Sequence, residues 1–362
     1  MEKHQKILRQ IKYAFPSYPT TETEIEYFRG LRIREKALTL TQHKIIQNFV
    51  KKVKQMRCTE TSDGRNSAFV AEYVHLCAES SGSDWHKGAL CVQTRERMKK
   101  NRYVDVLPYE ATRVRLHDND PNEYINANHI APFYIACCAP LPNAMIEFWK
   151  MVWQQNVYVI AMLTHLIERG RIKAHQYWNE TIMSITDFGG VSVQLCTQTF
   201  IGQNGSVLPS EKNSLYVLRA FKIWNGDDSS RKERNIVHIQ LTCWPDHGVP
   251  QDFRAIRSIL DIIAARKRDA DALGTDFESK VIVHCSAGIG RSGTLIAIDI
   301  VLRQLRAALV LNKSEAELQD ALNIAKVVYH VRCQRPLMVQ TPQQYAMIYE
   351  YIGAVIAETQ SW

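Results

Sequence analysis

Apolar residues recur at helical spacing over 41–57, where Ile45, Ile46, Phe49, Val50, Val53 and Met56 share one face. The opposite face is basic, with Lys44, Lys51, Lys52, Lys54 and Arg57. Thr41 is a suitable N-cap. Residues 59–67 are polar around Gly64 and read as a linker. A second helix is predicted over about 67–79, with Phe69, Val70, Tyr73, Val74 and Cys77 on one face. In the middle of the chain the period changes. The run Val157 to Leu163 is wholly apolar, as a buried strand is. Residues 191–200, 215–223 and 235–243 alternate apolar with polar, as half-buried strands do. Loops with Asn204-Gly205 and Asn225-Gly226 separate them. Helical spacing returns over 253–268, 291–310 and 315–332, and Thr341 with Pro342 opens a last helix. Strands in the middle and helices at the ends predict an α/β chain of the α+β type, a mixed sheet flanked by helices.

The chain has 362 residues, of which 46% are hydrophobic and 23% charged. That is globular composition and excludes collagen, long disordered protein and coiled coil. No apolar run approaches the roughly 20 residues a bilayer span needs. The charged N-terminus lacks a signal-peptide core. The expectation is a soluble, cytoplasmic protein, a monomer by default. Its nine cysteines include no Cys-x-x-Cys pair, so reduced thiols are expected rather than disulfides or a zinc ribbon. Neither a metal nor a cofactor is expected. The charge is uneven: residues 1–66 hold 14 Lys+Arg against 7 Asp+Glu, whereas 67–362 hold 31 against 30. A basic arm can meet nucleic acid or an anionic membrane, or simply be a solvated helix face. No nucleic-acid motif is present, so the solvated face is the plainer reading and no nucleic acid is expected. Two units result: a basic, mostly helical N-terminal extension (1–66) and one larger domain (67–362), which the motifs below mark as catalytic.

The chemistry concentrates in Lys280-Val-Ile-Val-His284-Cys285-Ser-Ala-Gly-Ile-Gly-Arg291-Ser-Gly-Thr294, which reads as strand, tight loop and helix. Gly288, Gly290 and Gly293 match a dinucleotide fingerprint, but no acidic residue follows on a second strand. An anion cradle uses more of the sequence. Loop amides from Ser286 through Ala287, Gly288, Ile289 and Gly290 to Arg291 would point inward, reinforced by the helix N-terminus. Arg291 offers a two-pronged donor to phosphate oxygens. Cys285 would lie at the floor, its thiolate favoured by these groups and aimed at a bound phosphate. Transfer of a phosphoryl group to sulfur also needs an acid for the leaving oxygen. Trp244-Pro245-Asp246-His247-Gly248 places Asp246 in a loop able to close over a ligand, 39 residues before Cys285.

Together these two motifs resemble the classical protein tyrosine phosphatases, of the non-receptor kind, from about Phe69 to Ala357. The resemblance implies a highly twisted mixed β-sheet flanked by helices on both sides. Lys100-Asn101-Arg102-Tyr103 resembles the family's phosphotyrosine-recognition loop, in which Tyr103 would stack on the substrate ring and Asp105 would hold substrate backbone. Tyr124-Ile125-Asn126-Ala127 resembles a core segment of the family. By likeness, Glu168 would pair with Arg291 and Lys173 would support Asp246. Arg332 to Thr341 resembles the loop in which Gln340 positions the hydrolytic water, with Gln344 one turn later. The implied reaction is hydrolysis of phosphotyrosine in proteins through a phosphocysteine on Cys285. Asp246 would act as acid and then base, and Ser292 would hydrogen-bond the departing thiolate. His284 and Trp244 support the two loops. A deep pocket walled by Tyr103 argues for phosphotyrosine over phosphoserine. The sequence departs from the family at Ala136-Cys137-Cys138-Ala139-Pro140, Val104, His247 and Leu337, which touches substrate preference rather than a chemical group of the mechanism. Two other readings are a catalytically dead phosphotyrosine-binding scaffold and another Cys-x5-Arg enzyme, such as a dual-specificity phosphatase or an arsenate reductase.

Overall fold

A computed structural model describes residues 38–58, 68–82, 90–117, 123–226, 232–245, 248–250, 253–272 and 278–360. Its elements are α1 (Leu40–Cys58), α2 (Ala68–Gly82), α3 (Arg95–Lys99), β1 (Ala127–Ile130), β2 (Tyr134–Cys137), α4 (Met145–Gln154), β3 (Val157–Met162), β4 (Ile167–Glu168), β5 (Arg171–Ile172), β6 (Ile185–Phe188) and β7 (Val191–Ile201). There follow β8 (Val207–Leu208), β9 (Tyr216–Asn225), β10 (Arg234–Leu241), α5 (Arg254–Ala272), β11 (Lys280–His284), α6 (Gly290–Val310), α7 (Glu315–Ala321), α8 (Ile324–Gln334) and α9 (Pro342–Gln360).

Nine strands form one mixed, twisted sheet in the order β1-β2-β11-β3-β10-β9-β7-β6, with β8 on β7. The centre is parallel: β11 lies between β2 and β3, and β3 pairs with β10. The flanks are antiparallel. Alternate side chains of the central strands enter opposite layers. Val159, Ala161, Val237, Val281 and Val283 join a large core with α5, α6, α8 and α9. Ile160, Met162, Ile236 and Ile282 join a second core with Phe148 and Trp149 of α4. Helices therefore cover both faces, as expected from the sequence.

Four details differ from the sequence reading. The strands read as half-buried in β9 and β10 are covered on both faces; Arg219, His238 and Gln240 are buried. Their polar groups bond one another instead of water. The helix expected over 315–332 is two helices. Asn323 breaks it and caps α8, its side chain accepting from the Lys326 amide at 3.0 Å. The cap of α1 is Thr39, not Thr41. Thr39 Oγ1 accepts from the Gln42 amide at 3.1 Å, while Gln42 Oε1 accepts from the Thr39 amide at 3.0 Å. On α2, Val74 is exposed and Leu76 takes its expected place in the core.

Helix α1 is built into the main core. Ile45, Ile46, Phe49, Val53 and Met56 are buried there, and the Phe49 ring stacks on Tyr349 of α9 at 6.0 Å. The basic residues Lys44, Lys51, Lys52, Lys54 and Arg57 are exposed. Residues 1–37 and the linker at 59–67 lie outside the described residues.

Candidate active site

Strand β11 ends at His284, and α6 begins at Gly290. The turn between them must reverse within five residues. Gly288 makes this possible with φ +70, and a Cβ there would stand 1.9 Å from the Cys137 carbonyl oxygen. The turn wraps around the buried Cys285. The Gly288 amide donates to Cys285 Sγ at 3.3 Å. Ser292 is completely buried, and its Oγ has no hydrogen-bond partner among the described residues at ordinary distance, which leaves its dipole for the nearby sulfur. Burial pushes the Cys285 thiol up. The Ser292 hydroxyl, the Arg291 charge and the amides of Ser292 and Gly288 act the other way and prevail, so the thiol lies below its ordinary 9.0.

Arg291 is held from behind. Its two terminal nitrogens each donate to one Glu168 oxygen at 2.7 Å, and Nη1 also donates to the Leu163 carbonyl at 2.8 Å. This is the fork-to-fork pairing expected of the two residues. The Thr164 hydroxyl and the His165 amide donate to Glu168 Oε1 at 2.9 and 3.2 Å. Burial alone would raise the Glu168 carboxyl, but Arg291 and these donors hold it below its usual value.

The recognition loop and the cradle meet at Ser286. The Ser286 hydroxyl donates to the Lys173 carbonyl at 2.6 Å and so accepts from the Tyr103 hydroxyl at 2.8 Å. Tyr103 thus stands half-buried beside the cradle, packed with Ala287 against Val106, Cys138 and Ile289. Asp105, two residues on, is exposed. Gln340 and Gln344 lie over the loop. A Cβ on Gly290 would meet Gln344 Nε2 at 3.0 Å and Gln340 Oε1 at 3.1 Å. The segment leading to Gln340 is strained, with φ 62 at Leu337 and φ 60 at Val339. Arg332 fixes it by donating to the Met338 and Val339 carbonyls, each at 2.9 Å, and the Tyr73 hydroxyl of α2 donates to the latter at 3.1 Å. Trp244 is buried, and its indole donates to the Gly248 carbonyl at 3.0 Å, so the two ends of the Trp-Pro-Asp loop are tied. Asp246 and His247 lie outside the described residues, and with them the expected support of Asp246 by Lys173.

His284 is fully buried, and burial holds its imidazole down to about 4, so it is neutral. Its Nδ1 meets the Cys285 carbonyl at 3.0 Å and its Nε2 meets the Tyr177 hydroxyl at 2.8 Å. Cys137 and Cys138 are backing groups: burial raises both thiols, and Cys138 Sγ donates to the Ala287 carbonyl at 3.1 Å.

Sequence reasoning missed Arg335. It is fully buried and donates to the carbonyls of Gly288 and Ala287 at 2.9 and 3.0 Å, and to Asn128 and Asn126 at 2.8 and 2.9 Å. Drawing these carbonyls outward leaves loop amides to face the sulfur. Arg102, given no role by the sequence reading, donates to the Ala139 and Pro140 carbonyls, both at 3.0 Å, and so fixes the recognition loop to the segment that follows β2.

A tight strand-to-helix loop with a low-pKa thiol and a locked arginine is an arrangement suited to holding a tetrahedral oxyanion over a nucleophile. Likeness to known proteins agrees with this class. Residues 97–353 match the protein-tyrosine phosphatase family model. Tyrosine-protein phosphatase non-receptor type 4 of Mus musculus is 36% identical over 277 residues, which are 74% of this chain and 26% of that protein. Receptor-type tyrosine-protein phosphatase eta of Gallus gallus is 32% identical over 298 residues, 80% of this chain and 19% of that protein. A solved structure described as the structural basis of the PTPN18 fingerprint on distinct HER2 tyrosine phosphorylation sites superposes with a TM-score of 0.67. It is 27% identical and covers 86% of this chain and 99% of its own. The chain belongs to the protein-tyrosine phosphatase family of hydrolases, which dephosphorylate phosphotyrosine. Receptor-type and non-receptor relatives both match, so the likeness does not choose between the two kinds. The chain spans about a fifth to a quarter of these curated relatives' length. Among the described residues, no helix is long and apolar enough to cross a membrane.

Proposed function

We propose that this chain hydrolyses phosphotyrosine in proteins through a phosphocysteine intermediate on Cys285. The observation that carries the reading is the lowered Cys285 thiol within reach of an inward amide and beside an arginine clamped by Glu168. The cradle from Ser286 to Arg291 binds the phosphoryl oxygens, and the Arg291 fork takes two of them. The Cys285 thiolate attacks phosphorus as the bond to the tyrosine oxygen breaks. Asp246, on the loop tied by Trp244 and Gly248, gives that oxygen its proton. A water positioned by Gln340 and Gln344 then attacks the phosphocysteine, Asp246 takes its proton, and the Ser292 hydroxyl stabilises the departing thiolate. Tyr103 stacks on the substrate ring, Asp105 holds the peptide backbone, and Lys173 supports Asp246. Phosphotyrosine-containing proteins are the partners. The cytoplasm is the proposed compartment, in keeping with nine cysteines of which none forms a disulfide.

The test is turnover of one peptide carrying phosphotyrosine or phosphoserine. Turnover of the first, its loss in Cys285→Ser and retained phosphopeptide binding by that variant are expected. Equal rates on the two peptides would remove the tyrosine-specific claim. Binding without turnover in the unaltered chain would favour the scaffold reading.

A further inference from the structure

We infer that Arg219 is a positioning residue for this site, rooting two hydrogen-bond chains of fixed direction, one ending on the Cys285 carbonyl and one on the Thr164 carbonyl beside Glu168. The inference rests on the proposed roles of Cys285 and Arg291. Arg219 lies on β9 directly across from His238 of β10. It is 5% exposed, and its hydrogen-bond partners are neutral: Nε donates to Gln198 Oε1 at 2.6 Å, and Nη1 to Gln240 Oε1 at 2.9 Å and to His238 Nδ1 at 3.4 Å. Its guanidinium also lies 4.4 Å from the Trp178 ring centroid. A buried arginine with no carboxylate among these partners is costly, so its retention calls for a reason.

The first chain runs through three fully buried side chains. A guanidinium donates and never accepts. The Arg219 contact assigns His238 Nδ1 as the acceptor, with hydrogen on Nε2 of its neutral ring; the opposite tautomer, with Nδ1 donating to the residue's own carbonyl, is the arrangement the test below distinguishes. The Nε2 hydrogen goes to the Tyr177 oxygen, 2.8 Å away. The Tyr177 hydroxyl then has its own hydrogen for His284 Nε2, also at 2.8 Å. His284 is left with hydrogen on Nδ1, which donates to the Cys285 carbonyl at 3.0 Å. The far end enforces the same direction, because a carbonyl only accepts. Donor-only and acceptor-only termini thus agree on one arrangement of four hydrogens. Burial keeps both rings neutral, which the arrangement requires.

The second chain starts from the same nitrogen. Arg219 Nη1 fixes the Gln240 amide with its oxygen inward, so Gln240 Nε2 faces and donates to the Thr164 carbonyl at 3.2 Å. The chain stops at that carbonyl and holds the backbone of Thr164 in place; the hydroxyl of the same residue, a separate group, is shared between Glu168 Oε1 at 2.9 Å and the His165 carbonyl at 3.1 Å, and Glu168 grips Arg291. One guanidinium on β9 thus orders the nucleophile's backbone and fixes the backbone of the residue that sits against the phosphate clamp's carboxylate.

The test is ring-nitrogen NMR on the full chain, with steady-state kinetics on Arg219→Met and Arg219→Lys. In the unaltered chain we expect hydrogen on Nδ1 of His284 and on Nε2 of His238. The opposite tautomer at either ring overturns the inference, whether or not any variant folds. In folded Arg219→Met we expect mixed tautomers and kcat lowered about tenfold, with KM moved less than about threefold, as for a small misplacement of reacting groups. Arg219→Lys, with its charge but without the fork, should fall between. Unchanged tautomers in Arg219→Met overturn the inference even if kcat falls. Tautomers are read without turnover, so failure of the proposed activity and failure of this inference are separate results.

Discussion

Arg335 Nε donates to the Gly288 carbonyl at 2.9 Å from outside the loop whose inside holds Cys285. A second bond reaches Ala287, and two more reach Asn126 and Asn128. Removing the guanidinium takes the donor from four acceptors at once, three of them buried. An unmet buried polar group costs about 1–3 kcal/mol, so Arg335→Met should lose roughly 3 kcal/mol or more after relaxation. Urea unfolding measures this. Arg335→Lys can satisfy only part of the set and should be intermediate. Lower kcat with little change in stability would show that the loop, not the fold, depends on Arg335.

Gly288→Ala should disable the loop from the opposite side. A methyl group there meets the Cys137 carbonyl oxygen at 1.9 Å, and the φ of +70 adds strain. Backbone on the central sheet cannot step aside cheaply, so the cradle must open. Misplacement on this scale costs on the order of a hundredfold in rate. The expected outcome is at least that loss in kcat/KM on a phosphotyrosine peptide. Near-normal activity would mean that the loop relaxes more freely than its packing implies.

The cradle was legible because its chemistry is local. Cys285, Gly288 and Arg291 fall within seven consecutive residues, so one loop must bring them together. Most of the helices and long strands were legible from periodicity. The short strands β1 and β2 were not, because four residues carry too little period to read. Burial of β9 and β10 on both faces was hidden for another reason. Arg219, His238 and Gln240 look like a solvent-facing row, yet they satisfy one another and the nearby loops. Arg335 was hidden likewise: its sequence neighbours do not reveal that its four acceptors come from β1, the segment before it and the cradle. The pairing of Glu168 with Arg291 spans 123 positions and was reached through family likeness.

Glu168→Gln should change how stability responds to acid. The Glu168 carboxyl lies below its usual 4.5 in the folded chain, chiefly because the Arg291 pairing outweighs burial. A depressed carboxyl contributes its full stabilisation above the unfolded value, about 4.5, and loses it as pH falls through the lower folded value. The unaltered chain should therefore exceed Glu168→Gln in stability at neutral pH, and the gap should narrow below about pH 4.5. Urea midpoints of both proteins across that range check this. A gap that stays constant into strong acid would mean the charge of Glu168 contributes nothing.

Cys285 should react as a thiolate at pH values where an ordinary cysteine is protonated. Its thiol lies below 9.0, with the Ser292 hydroxyl the foremost group opposing burial. Iodoacetamide inactivation should rise with pH about a midpoint under 9.0. Ser292→Ala removes that hydroxyl from a site where Oγ has no other partner among the described residues, so folding should be spared. The midpoint should move upward in this variant, and kcat should fall through slower breakdown of the phosphocysteine. A trapped phosphoenzyme burst would separate that step from the first. An unmoved midpoint would assign the thiolate to Arg291 and the amides alone.

The N-terminal helix α1 should prove part of the domain's stability. Its apolar face supplies Ile45, Ile46, Phe49, Val53 and Met56 to the main core. Val53 packs 3.6 Å from where a Cβ on Gly353 would stand, and Phe49 stacks on Tyr349. Tyr349 in turn donates to Glu72 of α2 at 2.8 Å, and α2 carries the Tyr73 that ties down the segment before Gln340. Phe49→Ala leaves a cavity at this junction, and such truncations cost about 3–5 kcal/mol. The loss should appear in unfolding midpoints. Replacing Lys44, Lys51 and Lys54 by Gln should leave stability nearly unchanged, since these side chains point into solvent. If Phe49→Ala were as stable as the unaltered chain, α1 would be an appendage resting on the domain. A drop in kcat at temperatures where Phe49→Ala stays folded would show that the α1–α9–α2 contact reaches the glutamine segment.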